Sequence, residues 1–535
     1  MTSGAREHGA AEKRRRAPPA SAAIGIAASL AVIAMFAVHP LGIAGDYPNH
    51  LARTYIEAEI GASASLATYY EVAYGLIPDL TMDLVVPRLS QLIGVYAAGA
   101  VLLCLAALLA PWAGVAVSRR LHGAGSASLS ALGFLAIFNL NLEFGFVNFL
   151  VSAGLALLAF ALWIAAAPGW RRSLLIAPVS LFLVFNHALG FLLFGYLALL
   201  WEIGAFLRKE RGPFAAFSLD LLTRDAVAFA PGVAVLLLAL AGGGDSALRV
   251  VDTPTDYLAS RLVVLFSPFR FHSDAQSVLT AVAAAAAVYG GVACALWRGV
   301  IDIDARMKPV LAGVLALVVL LPEHLFGIWG LHFRYGAIFV VLLGASLRFR
   351  GPAPGARVAT AALVVGVLAL QLHNGWSKIA HTDDYLGEVR AGLASMPEGA
   401  RVLQSFDPSA PLRRGTHAGA LAVIEKDAYV PSLFTNTSPV GVAPEMRALH
   451  LPAGYRLSLG TLAAAADSPL PPAVNGVWSE AYYFDWPRRF THVLHMKAPD
   501  GSAPDLAGAC FEAGGRFYAL FRTGPCAPAA APRTP

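Results

Sequence analysis

The sequence predicts a polytopic α-helical membrane protein that carries a C-terminal α/β domain. Three observations support this. The 535 residues are 57% hydrophobic and 14% charged, against about 25% charged in ordinary soluble domains. Apolar runs of about 20 residues recur from Ala20 to about residue 373, each long enough to span a bilayer. Beyond about Gly375 the apolar runs shorten and are broken by Gly, Pro, Asp and Ser. The mean hydropathy of +0.62 therefore reflects many spans, not one large core. A net charge of +5 scattered over short loops gives no footprint for nucleic acid, and no DNA- or RNA-binding motif occurs.

Taken in order, residues 1–19 form a basic tail with Lys13, Arg14, Arg15 and Arg16. The apolar run that follows is longer than a signal-peptide core, and Ala-His-Pro-Leu-Gly is a poor cleavage site, so it reads as an uncleaved first span. About eleven spans are expected, at 20–43, 94–117, 126–140, 147–167, 173–186, 188–207, 225–241, 275–297, 309–326, 334–348 and 356–373. With the N-terminus in the cytoplasm, the inner loops hold Arg119 and Arg120; Arg171 and Arg172; Arg208, Lys209, Arg211 and Arg224; Arg298, Arg306 and Lys308; and Arg348, Arg350 and Arg357. The outer loops hold fewer, chiefly Arg53, Arg249, Arg261, Arg270 and Arg334. The positive-inside rule thus predicts an odd number of spans, with the N-terminus in and the C-terminus out.

The expected organisation is a membrane domain at 20–375 with a large outer loop at 44–93, an extracytoplasmic α/β domain at 376–525, and a disordered tail at 526–535. Within the outer domain, 383–396 has helical character and 401–406 and 491–496 have strand character. Residues 509–512 and 516–521 suit a hairpin. Outside the cytoplasm a Cys510–Cys526 disulfide can persist. Cys104 and Cys294 lie in apolar runs as small hydrophobes.

The stretch with most chemical content is 42–60, GIAGDYPNHLARTYIEAEI. A helix from Tyr47 places Asp46, His50, Arg53 and Glu57 on one stripe, with Tyr47, Leu51, Tyr55 and Ala58 beside it. This amphipathic helix is expected to lie along the membrane surface, its charged stripe turned to a cavity or to water. Tyr69, Tyr70 and Tyr74 suit the aromatic interface. Asp46 is a candidate catalytic base or cation ligand; Asp-Tyr-Pro-Asn equally describes a helix cap. His50 offers a metal ligand or proton shuttle, and Arg53 a phosphate contact or a partner for Glu57.

Glu143 lies in a tight turn between apolar helices, where an ionisable group is a functional candidate or a snorkelling side chain. Asn139, Asn141 and Asn148 suit turn backbone. His187 follows Asn186 at a helix start. Glu323 and His324 form a possible metal or acid–base pair. In His332-Phe333-Arg334, the Arg334 fork suits a lipid phosphate or an interfacial anchor. The resulting assignment is Asp46 as catalytic, with His50, Arg53, Glu143, His187, Glu323, His332 and Arg334 as substrate-binding residues. A divalent cation, if one is used, would fall to Asp46, His50, Glu323 and His324. No Walker loop, GxGxxG or HExxH is present.

The layout, with the Asp46–Arg53 stretch DYPNHLAR, Gly145-Phe146-Val147-Asn148-Phe149 and Asn186-His187-Ala188, resembles the GT-C superfamily of integral membrane glycosyltransferases, in particular its poorly characterised bacterial members. The resemblance covers most of the membrane region. It implies a polyprenyl-phosphate-linked sugar donor, inversion at the anomeric centre, and an acidic base or metal ligand in the first outer loop, a role that falls on Asp46. It also implies the bacterial inner membrane, a periplasmic C-terminal domain, a part in building the cell envelope, and membrane lipids as neighbours. This chain departs from many relatives in having Tyr47 after Asp46 in place of a second acid. It also has His332 where several relatives carry an acid before the Arg of a late helix. A transporter or flippase for a lipid-linked or anionic substrate, and a non-catalytic scaffold, are the alternatives.

Overall fold

The computed structural model describes residues 20–210, 212–242, 257–272, 274–325, 328–351, 354–407, 410, 417–435, 438–451, 457–469, 482–499, 501–502 and 505–526. The basic tail 1–19, Arg211, Arg249 and residues 527–535 of the expected tail lie outside the described residues.

Helical segments occupy each of the eleven expected positions. Among the described residues, seven segments are long and apolar enough to cross a membrane: Ser21–Val38, Val95–His122, Val147–Ala165, Ala188–Leu207, Ala216–Ala241, Ala275–Trp297 and Pro354–Leu393. The remaining positions hold shorter elements: Leu129–Glu143, Trp170–Asn186, Lys308–Leu320 and His332–Ser346. Two of the short segments are enclosed by other helices. Gly336–Ser346 is buried at almost every residue, and Leu129–Leu142 is buried throughout. A segment walled by protein does not need a full-length lipid-facing surface.

The last long helix, Pro354–Leu393, runs for 40 residues. At 1.5 Å per residue it measures about 60 Å, roughly twice the hydrocarbon thickness. The expected helix at 383–396 is therefore not separate: it continues the final span, and the polar stretch from His373 to Lys378 contains no proline to stop it. Its far end buries Tyr385, Leu386 and Val389 in the C-terminal domain.

That domain holds a four-stranded sheet in the order Val402–Phe406, His492–Met496, Tyr518–Thr523, Ala509–Gly514. The first pair is parallel and the other two are antiparallel. Both strands of the parallel pair are buried at all five positions, as expected for a sheet covered on both faces. Cys510 and Cys526 form a disulfide that ties the edge strand to the chain beyond its neighbour.

Three expectations are corrected here. The Tyr47–Glu59 helix is not an open amphipathic surface helix but is packed between other elements. Tyr47 through Thr54 and Ile56 are buried, between the Thr81–Ile93 helix on one side and the Ala418–Lys426 segment of the C-terminal domain on the other. On its polar stripe His50 and Arg53 are buried, while Asp46 and Glu57 are half-buried. Tyr69 and Tyr70 do not serve a lipid interface either. The Tyr69 hydroxyl donates to Gly399 O at 2.6 Å. The Tyr70 hydroxyl donates to Ala428 O at 3.3 Å and accepts the Val430 N–H at 3.0 Å. The adjoining strand Tyr70–Val72 pairs antiparallel with Val440–Val442. Both tyrosines thus satisfy backbone groups of the C-terminal domain. Finally, Arg172 is not a loop cation. It is buried against Glu202 and Asp225, at 2.8 and 2.6 Å, with its guanidinium 3.7 Å above the Trp163 ring.

Candidate active site

Asp46 stands at the start of the Tyr47–Glu59 helix, but its side chain does not cap that helix. Its backbone is already helical (φ −78°, ψ −14°), whereas a capping residue is normally extended. Pro48 removes one of the N–H groups a cap would serve. Only the Asp46 main chain is engaged: its N–H donates to Phe144 O at 2.9 Å, and its carbonyl accepts the His50 N–H at 3.0 Å. The carboxylate is left for other work.

Two glycines make this placement possible. Gly45 (φ +40°) and Gly145 (φ +76°) let the segment after the first span lie backbone to backbone on the Phe144–Gly145 turn. A Cβ on Gly45 would sit 2.3 Å from Phe144 O, and one on Gly145 2.7 Å from the Tyr47 nitrogen. No side chain fits at either position.

The Asp46 side chain retains 30% of its surface, and its Oδ1 lies 3.6 Å from His417 Nε2. Enclosure deep in the protein pushes its pKa up to about 7, while the charges of Arg334 and Arg53 pull it back. Arg334 is 8% exposed, with its guanidinium 4.0 Å above the Phe146 ring and one N–H on Trp329 O at 3.2 Å. Among the described residues it makes no ion pair, and its Nε has no hydrogen-bond partner. A buried, unpaired guanidinium beside a half-desolvated carboxylate suits a negatively charged ligand.

A second acid shares the field of Arg334. Asp79 accepts Asn148 Nδ2 at 2.8 Å, and burial raises its pKa to about 7, against the charge of Arg53. Asn148 also accepts the Met82 N–H at 3.0 Å, so it is a support for Asp79 and not a turn residue. His187 caps the Ala188–Leu207 helix, its Nδ1 accepting the Leu189 N–H at 3.1 Å. His50 packs edge-on to Phe434, and burial, first of all, holds it well below the usual imidazole range.

Several expected residues have other partners. Arg53 is gripped by Asp83, with Nε and Nη2 donating to the two carboxylate oxygens at 2.7–3.1 Å. Both side chains are buried, so Arg53 is neither a partner of Glu57 nor a free phosphate ligand. Glu57 accepts the Tyr74 hydroxyl at 2.7 Å, and burial raises its pKa to about 9. Glu143 faces His272 at 3.6 Å beside Gly42 and Thr382, buried behind the turn. Glu323 accepts the Trp329 indole N–H at 2.8 Å, within the His324–Trp329 hairpin whose Trp329 carbonyl holds Arg334. His332 packs on Phe333. Among the described residues no three His, Cys, Asp or Glu side chains gather where one ion could hold them, so the four expected cation ligands do not form a set.

Asp79, His417 and Asn49 were not singled out from the sequence. Asp79 and His417 stand alone in the sequence, with no periodicity or motif to mark them. Asn49 sat unremarked in the DYPNHLAR stretch. A cavity of about 170 Å³ lies at the other end of the bundle, lined by Trp163, Arg172, Trp201 and Glu210. It is not the site, because the Arg172 cation there is already answered by two carboxylates.

No protein-family model matches the chain, and no curated protein matches it by sequence. By structure it is similar to ArnT from Cupriavidus metallidurans, solved in the apo state. The TM-score is 0.51 over 94% of this chain and 99% of that chain, at 14% identity. The chain has the GT-C fold. At that identity the likeness speaks for the fold alone. It extends through the membrane helices and the C-terminal domain together, since nearly the whole of both chains is covered. Within the GT-C fold of this chain, the Asp46 site lies where the membrane helices meet that domain.

Proposed function

We propose that this multi-pass membrane protein transfers a sugar from a polyprenyl-phosphate-linked donor to an acceptor hydroxyl at the face of the membrane that bears the C-terminal domain. That face is the outer one if the clusters of Arg and Lys at the opposite helix ends are cytoplasmic. One observation carries the reading: the Asp46 carboxylate does not cap its helix, and it shares a desolvated site with Arg334, a cation that has no ion-pair partner among the described residues.

In this scheme the acceptor hydroxyl gives its proton to Asp46 as its oxygen attacks the anomeric carbon. The bond from that carbon to the phosphate oxygen breaks, and the lipid phosphate leaves with the electron pair. The negative charge it gains lies toward Arg334. A pKa of about 7 matches Asp46 to general-base work near neutral pH, where about half of it is ionised and open to a proton. Attack from the face opposite the leaving phosphate inverts the anomeric centre. In the same scheme Asp79, held by Asn148 at 2.8 Å, would bind sugar hydroxyls, and the C-terminal domain would cover the acceptor side.

The test is transfer of radiolabelled sugar from synthetic polyprenyl-phosphate donors to a membrane extract by purified full-length protein. Asp46→Ala and Asp46→Asn are expected to lose transfer. Equal transfer by the wild type and both variants removes Asp46 from the mechanism.

A further inference from the structure

Among the described residues of the C-terminal domain, His417 faces the Asp46 carboxylate, with Nε2 3.6 Å from Oδ1, and the tautomer of that histidine follows from its neighbours. Asn49 Nδ2 donates to Ser432 O at 2.8 Å, and Asn49 Oδ1 accepts the Phe434 N–H at 2.8 Å. Both partners are backbone groups with fixed roles, so the orientation of the Asn49 amide is settled. The same Nδ2 lies 3.1 Å from His417 Nδ1. A donor there requires a bare nitrogen, so Nδ1 is the acceptor and Nε2 carries the hydrogen. Nε2 is the atom 3.6 Å from Asp46 Oδ1.

The ring has little freedom to turn away. It is 5% exposed and packs on Phe434 with ring centroids 4.8 Å apart. The turn that follows it is tied to the sheet, where Gly419 N–H donates to Gln404 Oε1 at 3.1 Å. Burial holds the imidazole at about 4, so it is neutral near pH 7 and brings a donor without a charge. The 3.6 Å gap is a few tenths beyond a normal hydrogen bond, as is often found for catalytic contacts before a ligand fills the site.

The geometry points to His417 as a positioning residue for Asp46: its Nε2–H aims Oδ1, leaving Oδ2 to take the acceptor proton. This rests on the transfer reading above only for its catalytic consequence; the contact itself can be tested without substrate. It also assigns the C-terminal domain a direct part in the site, since the domain sets the orientation of a group that the membrane half contributes.

Glutamine places its amide nitrogen near the position of Nε2, and asparagine near that of Nδ1. The full-length protein is therefore melted at pH 5.5 and 8.5 as wild type, His417→Gln and His417→Asn, each also combined with Asp46→Asn. Among the described residues, the charged and titratable groups facing Asp46 are Arg334, Arg53 and His417, with His50 next on its own helix. At pH 8.5, with Asp46 ionised, His417→Asn is expected to lower Tm by roughly 2–4 °C while His417→Gln restores it. That difference should vanish at pH 5.5 and in the Asp46→Asn background. Equal losses for His417→Gln and His417→Asn, at both pH values and in both backgrounds, would mean that His417 only holds the loop, and the proposal falls. With the polyprenyl-phosphate donors, kcat is expected to drop about tenfold in His417→Asn, with KM unchanged and recovery in His417→Gln. If the melts show the coupling but neither the wild type nor any variant transfers sugar, the contact stands and the transferase reading fails.

Discussion

Asp46→Asn replaces a carboxyl with an amide of the same size, and its effect on stability should depend on pH. In the folded protein Asp46 titrates at about 7, above its ordinary value of 3.8. Between those values the folded state holds a proton that the unfolded state has released, so stability falls as pH rises through that window. The full rise is worth roughly 4 kcal/mol at about 1.4 kcal/mol per unit. With 30% of the side chain open to solvent, screening reduces this to about 1–3 kcal/mol. Asparagine carries no such cost. Thermal unfolding followed by tryptophan fluorescence in nanodiscs should give matching curves at about pH 3.5, below both values, to within about 1 °C. At pH 8.5 the variant should melt higher by roughly 2–6 °C. The same variant that gains stability is the one expected to lose transfer, as when a functional group is held at a cost to the fold. A variant equally destabilised at both pH values would show that the carboxylate is a structural partner, and its role as a base would be lost with it.

Arg334→Gln keeps hydrogen-bond donors but removes the charge, so transfer should fall roughly 10²–10³-fold while the melting curve moves little; steady-state kinetics beside a thermal melt checks both. Arg53→Leu strands Asp83 in a buried site and should cost about 3–5 kcal/mol, whereas the double variant Arg53→Met with Asp83→Leu should regain most of it. Denaturation of the three proteins side by side is the measurement. Gly145→Ala combines a left-handed backbone with a Cβ 2.7 Å from the Tyr47 nitrogen. It should cost about 1–3 kcal/mol and displace Asp46, seen as lost transfer in a protein that still inserts and purifies as a monodisperse species.

The spans were legible because bilayer thickness sets their length and their apolar content is a one-dimensional signal. The strands at 402–406 and 492–496 and the 509–523 hairpin were legible from local pattern. Two kinds of feature were not. The burial of the Tyr47–Glu59 helix depends on a domain more than 300 residues away: Asn49 takes its partners from Ser432 and Phe434, and Tyr70 from Ala428 and Val430. An amphipathic pattern gives the contrast between two faces but not what covers the polar one. The Arg53 pairing was missed for a similar reason. At helical spacing Glu57 is an adequate partner, but Asp83 wins because it offers a bidentate grip inside the protein, which an i,i+4 surface pair cannot match. Asp46 and Arg334 were legible as types of residue at helix ends, but their shared field is a property of the fold.

The layout of charge along two of the helices favours the proposed transfer at one face over passage between faces. Asn148 and His187, at one end of their helices, belong to the Asp46 and Arg334 cluster. Trp163 and Glu202, near the other ends of the same helices, belong to the Arg172 cluster. From Asn148 to Trp163 is about 22 Å of helix. Over that stretch the Val147–Ala165 helix carries Ser152 as its one polar side chain. On the Ala188–Leu207 helix, Tyr196 stands between the two ends, and its hydroxyl is spent on Gly313 O at 3.1 Å. A conduction route for a charged substrate needs polar groups or broken helices near mid-bilayer. On these two helices the middle is apolar and unbroken. The Arg172 cluster at the far end is internally paired, with two carboxylates on one guanidinium, which suits a clamp between helices more than a gate. A ligand drawn to Arg334 thus finds its polar contacts at the end of the bundle that the C-terminal domain covers, where a group can be exchanged between two bound molecules without either crossing the membrane.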